Sequence, residues 1–289
     1  MTATHAPQAR TPSLRKALLT GLGVLVMFFF LAPYIQMLIT SLTPASELYE
    51  VPAQYMPSSL EFSNFIDVWT EAPLWGYLRS SLIIAGFATL LVLVVALPAA
   101  YYTARYRYRG RLVFLLLVLI TQMFAPTALV IGIYREWVAI GEIIPFAGVN
   151  TYVALIIVNA AFNLAFSTWI MVAYFSTIPV ELEEAAAIDG ASRLGVLRRV
   201  TLPLALPGIV TAMIFTFIAA WNEFVVALTL AQSPDIHPLT VGVMTFVGQY
   251  RVEWQYLFAS SLIAIVPVVI LFIVIERWLV GGLTAGSIK

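Results

Sequence analysis

Residues Ser80–Tyr102 read SSLIIAGFATLLVLVVALPAAYY, a run with no charged side chain. A helix needs about 20 apolar residues to cross the hydrocarbon core of a bilayer. A strand of a membrane barrel alternates in character over only about ten. The run is long enough to span as a helix and lacks a barrel strand's alternation. Five more stretches share its character: Ala17–Leu42, Leu112–Tyr134, Tyr152–Phe175, Leu204–Leu230 and Leu257–Ile275. The expected fold is therefore all-α and integral to the membrane, with six transmembrane helices. Composition agrees, since 61% of the 289 residues are hydrophobic and 10% are charged, against about a quarter charged in a soluble domain.

Basic residues set the orientation, because they are retained on the cytoplasmic side. With the N-terminus inside, Arg10, Arg15, Lys16, Arg105, Arg107, Arg109, Arg111, Arg193, Arg198, Arg199, Arg277 and Lys289 are all cytoplasmic. Only Arg79, Arg135 and Arg251 fall outside. Both termini are thus expected inside. The first apolar run exceeds the 7–15 residues of a signal-peptide core and is followed by no clear small-x-small cleavage site, so it reads as an uncleaved span. The chain then divides into a cytoplasmic N-terminus (1–16), a first transmembrane helix (17–42), an extracytoplasmic segment (43–79), a five-helix core (80–280) and a cytoplasmic tail (281–289).

The outer segment carries Glu47, Glu50, Glu61, Asp67 and Glu71 and four prolines. It reads either as a spacer or as a contact for an external partner. Trp69, Trp75, Trp137, Trp254 and Trp278 fall near span ends, where indole rings favour the headgroup level. Pro98, Pro126 and Pro267 interrupt spans, each removing a helical hydrogen bond. The run Arg105–Arg111, RYRYRGR, reads most simply as a topology anchor beside anionic headgroups, with a regulatory or ATPase contact as the alternative. No cysteine is present, which excludes disulfides and thiolate metal sites, and a net charge of zero gives no reason to expect nucleic acid.

Between the fourth and fifth spans runs Ser176–Arg193, STIPVELEEAAAIDGASR. Pro179 suits a first helical turn. Glu181, Glu183 and Glu184 favour the positive end of a helix dipole, Ala185, Ala186 and Ala187 are strong helix formers, and Gly190 suits a C-terminal stop. A helix so short and charged cannot cross the bilayer, so it lies on the cytoplasmic face. Small alanines and an acidic edge suit docking against another protein; capping the bundle is the alternative, and local physics favours neither.

The run Glu184-Ala185-Ala186, then Gly190, then Leu202-Pro203, resembles the EAA signature of permease subunits of binding-protein-dependent ABC importers. Phe162-Asn163-Leu164, Trp221-Asn222-Glu223-Phe224 and the ending Gly282-Leu283-Thr284-Ala285-Gly286 are similar to the carbohydrate-uptake branch and its maltose-permease-G-like subunit. This resemblance covers nearly the whole chain. It implies that residues of about 179–197 form a coupling helix seated in a groove of a cytoplasmic ATPase, with Glu181, Glu183, Glu184, Ala185, Ala186, Asp189, Gly190 and Arg193 as contacts. Thr284, Ala285 and Gly286 are implied as a second contact. The implied partners are a second homologous permease subunit in a heterodimer, two copies of the ATPase, an extracytoplasmic solute-binding protein, membrane lipid and a sugar-like substrate, in a bacterial inner (cytoplasmic) membrane. No cofactor is expected in this chain: a P-loop needs Gly-x4-Gly-Lys-Ser/Thr, and neither Lys16 nor Lys289 has that context. ATP and Mg are implied on the partner ATPase, so the chain itself is not an enzyme.

Ionisable and amide groups inside a membrane are costly and point to function. Glu223, Asn222 and Asn163 are the candidates for a translocation path, with Gln122 beside them; hydrogen bonding between helices is the alternative. For an intramembrane enzyme, a His-Glu-x-x-His metal site and a Ser-His dyad within a span cannot form, since His5 and His237 are the only histidines and neither lies in a span. A secondary transporter or channel remains the alternative function, although the paired repeats with broken helices typical of that class are not visible in the sequence.

Overall fold

A computed structural model describes residues 14–52 and 56–284, with side chains from Arg15 to Glu276. In chain order the helices are α1 (Leu14–Ser41), α2 (Asn64–Glu71), α3 (Leu74–Arg105), α4 (Arg111–Thr121), α5 (Pro126–Ile143), α6 (Tyr152–Thr177), α7 (Glu181–Ile188), α8 (Arg193–Val196), α9 (Leu202–Trp221), α10 (Val225–Leu230), α11 (Leu239–Gly242) and α12 (Trp254–Thr284). The only β pairing among the described residues is an isolated bridge between Val247 and Val252. Among the described residues, five helices are long and apolar enough to cross a membrane, and a sixth span results if α4 and α5 count as one.

Two expected spans are not continuous. Leu112–Tyr134 is broken, and α4 and α5 meet at 96°. Ala125 is extended (φ −67°, ψ 134°) and Pro126 begins α5, as the clash between a proline ring and the preceding residue dictates. Leu204–Leu230 is broken at Asn222–Phe224, between α9 and α10. Pro98 and Pro267, expected to interrupt their spans, lie within the continuous helices α3 and α12. Neighbouring helices and local adjustments tolerate one freed carbonyl in a membrane helix. Helix α3 also starts at Leu74 and so takes in residues expected to belong to the outer segment.

The core is the triad α3, α6 and α9. Ala85, Ala88, Val92, Ala96 and Ala100 line one face of α3 and are buried against Ala160, Met171 and Phe175 of α6 and Ala205 and Ala212 of α9. Lipid tails are as apolar as leucine, so membrane helices gain from close packing instead, and small residues permit it. Gly208 of α9 shows how close the approach is: a Cβ there would lie 2.2 Å from Tyr174 Cγ on α6. Ser167 and Thr216 share a buried hydrogen bond of 2.6 Å between α6 and α9, and Ser80 bonds Tyr152 at 2.8 Å between α3 and α6.

Outside this triad, α1 packs chiefly on α12 and is otherwise exposed along its length. Asn64 at the start of α2 donates to the carbonyls of Ser41 and Thr43, fixing the end of α1. Tyr49 donates to the Val252 carbonyl and lies under the Arg251 guanidinium at 4.7 Å, so the segment between α1 and α3 is tied to the loop before α12. Trp75 and Trp254 are partly exposed at helix starts, and Trp69 lies in α2. Trp137, expected in the interfacial belt, is instead buried against Ile84, Leu155 and Val158. Helix α5 turns back after the break, and that return carries Trp137 inward. Trp278 lies outside the residues with described side chains.

Candidate functional site

The acidic, alanine-rich segment forms a short helix, α7, as its residues dictate. It begins at Glu181, two residues after Pro179, with Glu181, Glu183 and Glu184 in its first turn. Its end is a glycine-stopped reverse turn. Gly190 has φ +87°, the Gly190 amide donates to Ala187 O (3.1 Å), and the Ala191 amide donates to Ala186 O (3.0 Å). This pairing satisfies the last carbonyls of a helix and favours glycine at the left-handed position. Ser192 then caps α8, accepting from the Gly195 amide at 3.2 Å, and a π-helical turn, Leu197–Thr201, leads into α9.

The residues expected to act together split between two faces of α7. Glu181, Glu184, Ala185, Asp189, Gly190 and Arg193 are exposed, and Ala186 is half-buried. Glu183 turns inward, with its side chain 11% exposed. Its Oε1 accepts from Arg105 Nε (2.8 Å) and from Thr201 Oγ1 (2.8 Å), and its Oε2 accepts from Tyr101 Oη (3.0 Å). Arg105 Nη1 also donates to Ile178 O at 3.0 Å. Arg105 was expected as a topology anchor or a partner contact; here it is buried in an ion pair within the chain. Beside it, Tyr101, Arg105, Glu183, Glu184 and Arg193 line a cleft of about 240 Å³. Sequence reasoning missed the exposed apolar side chains of this face: Ile188 is 86% exposed, and Leu182 and Leu194 are also exposed. Their signal was present as apolar residues in a segment too short and charged to be buried in a core. Thr284 is the last residue of α12, its side chain undescribed, and Ala285 and Gly286 lie outside the described residues.

A second constellation lies where the two breaks meet. Residues from both of them, with α6, line a cleft of about 290 Å³ that includes Gln122, Asn159, Asn163 and Glu223. Irregular backbone at membrane depth is tolerated where it is buried in protein or lines a water-filled cavity. Glu223 Oε1 accepts from the Val226 amide (2.8 Å) and Oε2 from the Ala227 amide (3.0 Å), so the carboxylate caps α10. Asn163 Nδ2 donates to Asn159 O (2.8 Å) and Gln122 Nε2 to Phe162 O (3.0 Å). Asn163 and Glu223 thus share one cleft. Asn222 does not: it faces a separate cleft with Tyr34 of α1 and Ser261 of α12. Asn159 escaped notice although it stands four residues before Asn163 on the same face. Its Nδ2 donates to Leu155 O, and its buried Oδ1 has no partner among the described residues.

Residues 96–283 match the family of inner membrane components of binding-protein-dependent transport systems. The chain belongs to this family. Its expected likeness to the carbohydrate-uptake branch is met by curated relatives. The sulfoquinovosyl glycerol transport system permease protein SmoH of Agrobacterium fabrum is 33% identical, over 90% of this chain and 89% of that protein. The trehalose/maltose transport system permease protein MalG of Thermococcus litoralis is 34% identical, over 97% and 99%. Among solved structures, a bacterial ABC transporter involved in import of the acidic polysaccharide alginate has a chain that superposes with a TM-score of 0.75. At 23% identity, covering 96% of this chain and 99% of that one, it shows the shared fold. A chain of the inward-facing methionine transporter MetNI superposes at 0.56, with 18% identity, over 72% and 94%. As an inner membrane permease of this family, the chain carries its broken helices within a transporter.

Proposed function

We propose that this permease is one half of the gate of an ATP-driven importer for a sugar or sugar-like solute, working by alternating access. It pairs with a second homologous permease subunit, two copies of a cytoplasmic ATPase that hold ATP and Mg, and an extracytoplasmic binding protein. Both termini lie in the cytoplasm, and α7 is the coupling helix. The observation that carries this reading is a family-matched chain in which α7 presents Ile188, Leu182, Ala185 and Glu184 to solvent beside the ends of α3 and α6. An exposed apolar residue on a short charged helix suits a protein groove, since apolar patches rimmed by polar groups mark contact sites. Nucleotide on the ATPase shifts the permease by binding one arrangement better than the other. The tail residues Thr284, Ala285 and Gly286 supply a second contact.

The solute path runs past Asn163 and Glu223, with Asn222 on the neighbouring cleft; amide groups suit the hydroxyls of a sugar. The relatives named for sulfoquinovosyl glycerol and for trehalose/maltose support that solute class.

The test is Ile188→Asp, or deletion of Gly190, in the assembled importer. Loss of the ATPase subunit on co-purification, or ATP hydrolysis without uptake, is the expected result. Normal uptake from a complete complex would refute the coupling role of α7.

A further inference from the structure

The geometry assigns Glu183 a role different from that of its neighbours on α7: it is the joint through which α7 drives the core helices. Glu181 and Glu184 are exposed, whereas the Glu183 carboxylate is enclosed by groups from separate elements. Tyr101 and Arg105 come from the last turns of α3, and Thr201 comes from the π-helical turn that opens onto α9. Arg105 also holds the Ile178 carbonyl, just beyond the end of α6. One carboxylate thus ties α7 to the end of α3 and to the turn that opens α9, while its partner Arg105 holds the residue just after α6.

Backbone alone would connect α7 to the core through two short linkers, Ile178–Val180 and Asp189–Ser192. Segments of this kind absorb rotation as hinges, and a helix held only by them would tilt without moving its neighbours. The Glu183 cluster removes that freedom. Charge-assisted hydrogen bonds to a buried carboxylate are strong and directional, and the π-helical turn sets Thr201 where it completes them. Displacement of α7 therefore passes directly to α3 and α9, and not to α6 alone. Glu183 is a positioning residue that touches neither solute nor nucleotide. This inference rests on the coupling role proposed above for α7.

The test uses the complete importer in lipid nanodiscs, comparing wild type, Glu183→Ala and the nearly isosteric Thr201→Val. The readouts are the ratio of ATPase to permease after purification and the number of solute molecules imported per ATP hydrolysed. Both variants are expected to retain the ATPase while the imported-per-ATP ratio falls by about two- to thirtyfold, the range seen when coupling networks are cut. Glu183→Ala, which removes all three hydrogen bonds to the carboxylate, should show the larger fall. A merely structural role would lower the yield of complex without changing that ratio. A wild-type ratio in assembled Glu183→Ala overturns the inference; if that variant does not assemble, Thr201→Val decides in the same way. Failure of the coupling reading itself looks different, since Ile188→Asp would then leave both the ATPase bound and the ratio unchanged.

Discussion

At the scale of the residue, two glycines separate conformational from steric constraint. Gly190 has a positive φ and open space around its absent Cβ. Gly190→Ala should therefore cost only the left-handed backbone strain, about 1–2 kcal/mol, and Gly190→Asn less. Differential thermal unfolding of the three proteins checks this, and an equal loss for Ala and Asn would contradict it. Gly208 has ordinary dihedral angles but no room, with Tyr174 in the way. Gly208→Ala should lose about 1–3 kcal/mol through overpacking, recovered in part by a smaller residue at position 174. Charge gives a third case. The Ser58 hydroxyl and amide both donate to Glu47 and hold its carboxyl below the ordinary value of 4.5. That link is fully present above pH 4.5 and is lost as pH falls through the lowered value. The protection factor of the Ser58 amide, its exchange rate relative to the intrinsic rate at each pH, should fall with acidification in the wild type and be insensitive to pH in Glu47→Gln.

At the scale of the element, the sequence was legible wherever one rule acted alone. The apolar runs gave all the long helices, because length and lack of charge decide a span. Gly190 marked the end of α7 because few other residues accept its backbone angles. The breaks were harder to see. Leu112–Tyr134 has only the uncharged polar side chains Thr121, Gln122 and Thr127 near its middle, and Pro126 looked no different from Pro98 and Pro267, which do not break their helices. Proline permits a break, while packing decides it. The inward turn of Glu183 was equally hidden: three glutamates in four positions look alike until Arg105, Tyr101 and Thr201 are brought to one of them. Glu223 shows the same merging of roles, since a carboxylate expected on the solute path also caps α10. Glu223→Ala should destabilise that helix by about 0.5–2 kcal/mol, as for other lost caps, and Glu223→Gln by less. If uptake by Glu223→Gln matches the wild type while stability falls, capping is the whole role of the side chain.

At the scale of the molecule, the alanine-faced triad of α3, α6 and α9 is the rigid part, and α1 is the loosely held one. Native-state hydrogen exchange of the purified chain in detergent should rank protection in that order, because local opening follows contact density. Equal protection of α1 and α3 would contradict it. The attachment of α1 to α12 also bears on how the protein is made. These are the first and last of the described helices, and about 210 residues separate Ser41 from Trp254. At about 5–20 residues per second of synthesis, α1 waits in the bilayer for some ten to forty seconds before its neighbour leaves the ribosome. The triad is complete before then, so α1 is inserted ahead of the triad and docked after it. Any ribosome stalled short of α12 releases a chain with a formed core and an unclaimed first helix, open to capture by another subunit or by the quality-control machinery of the membrane.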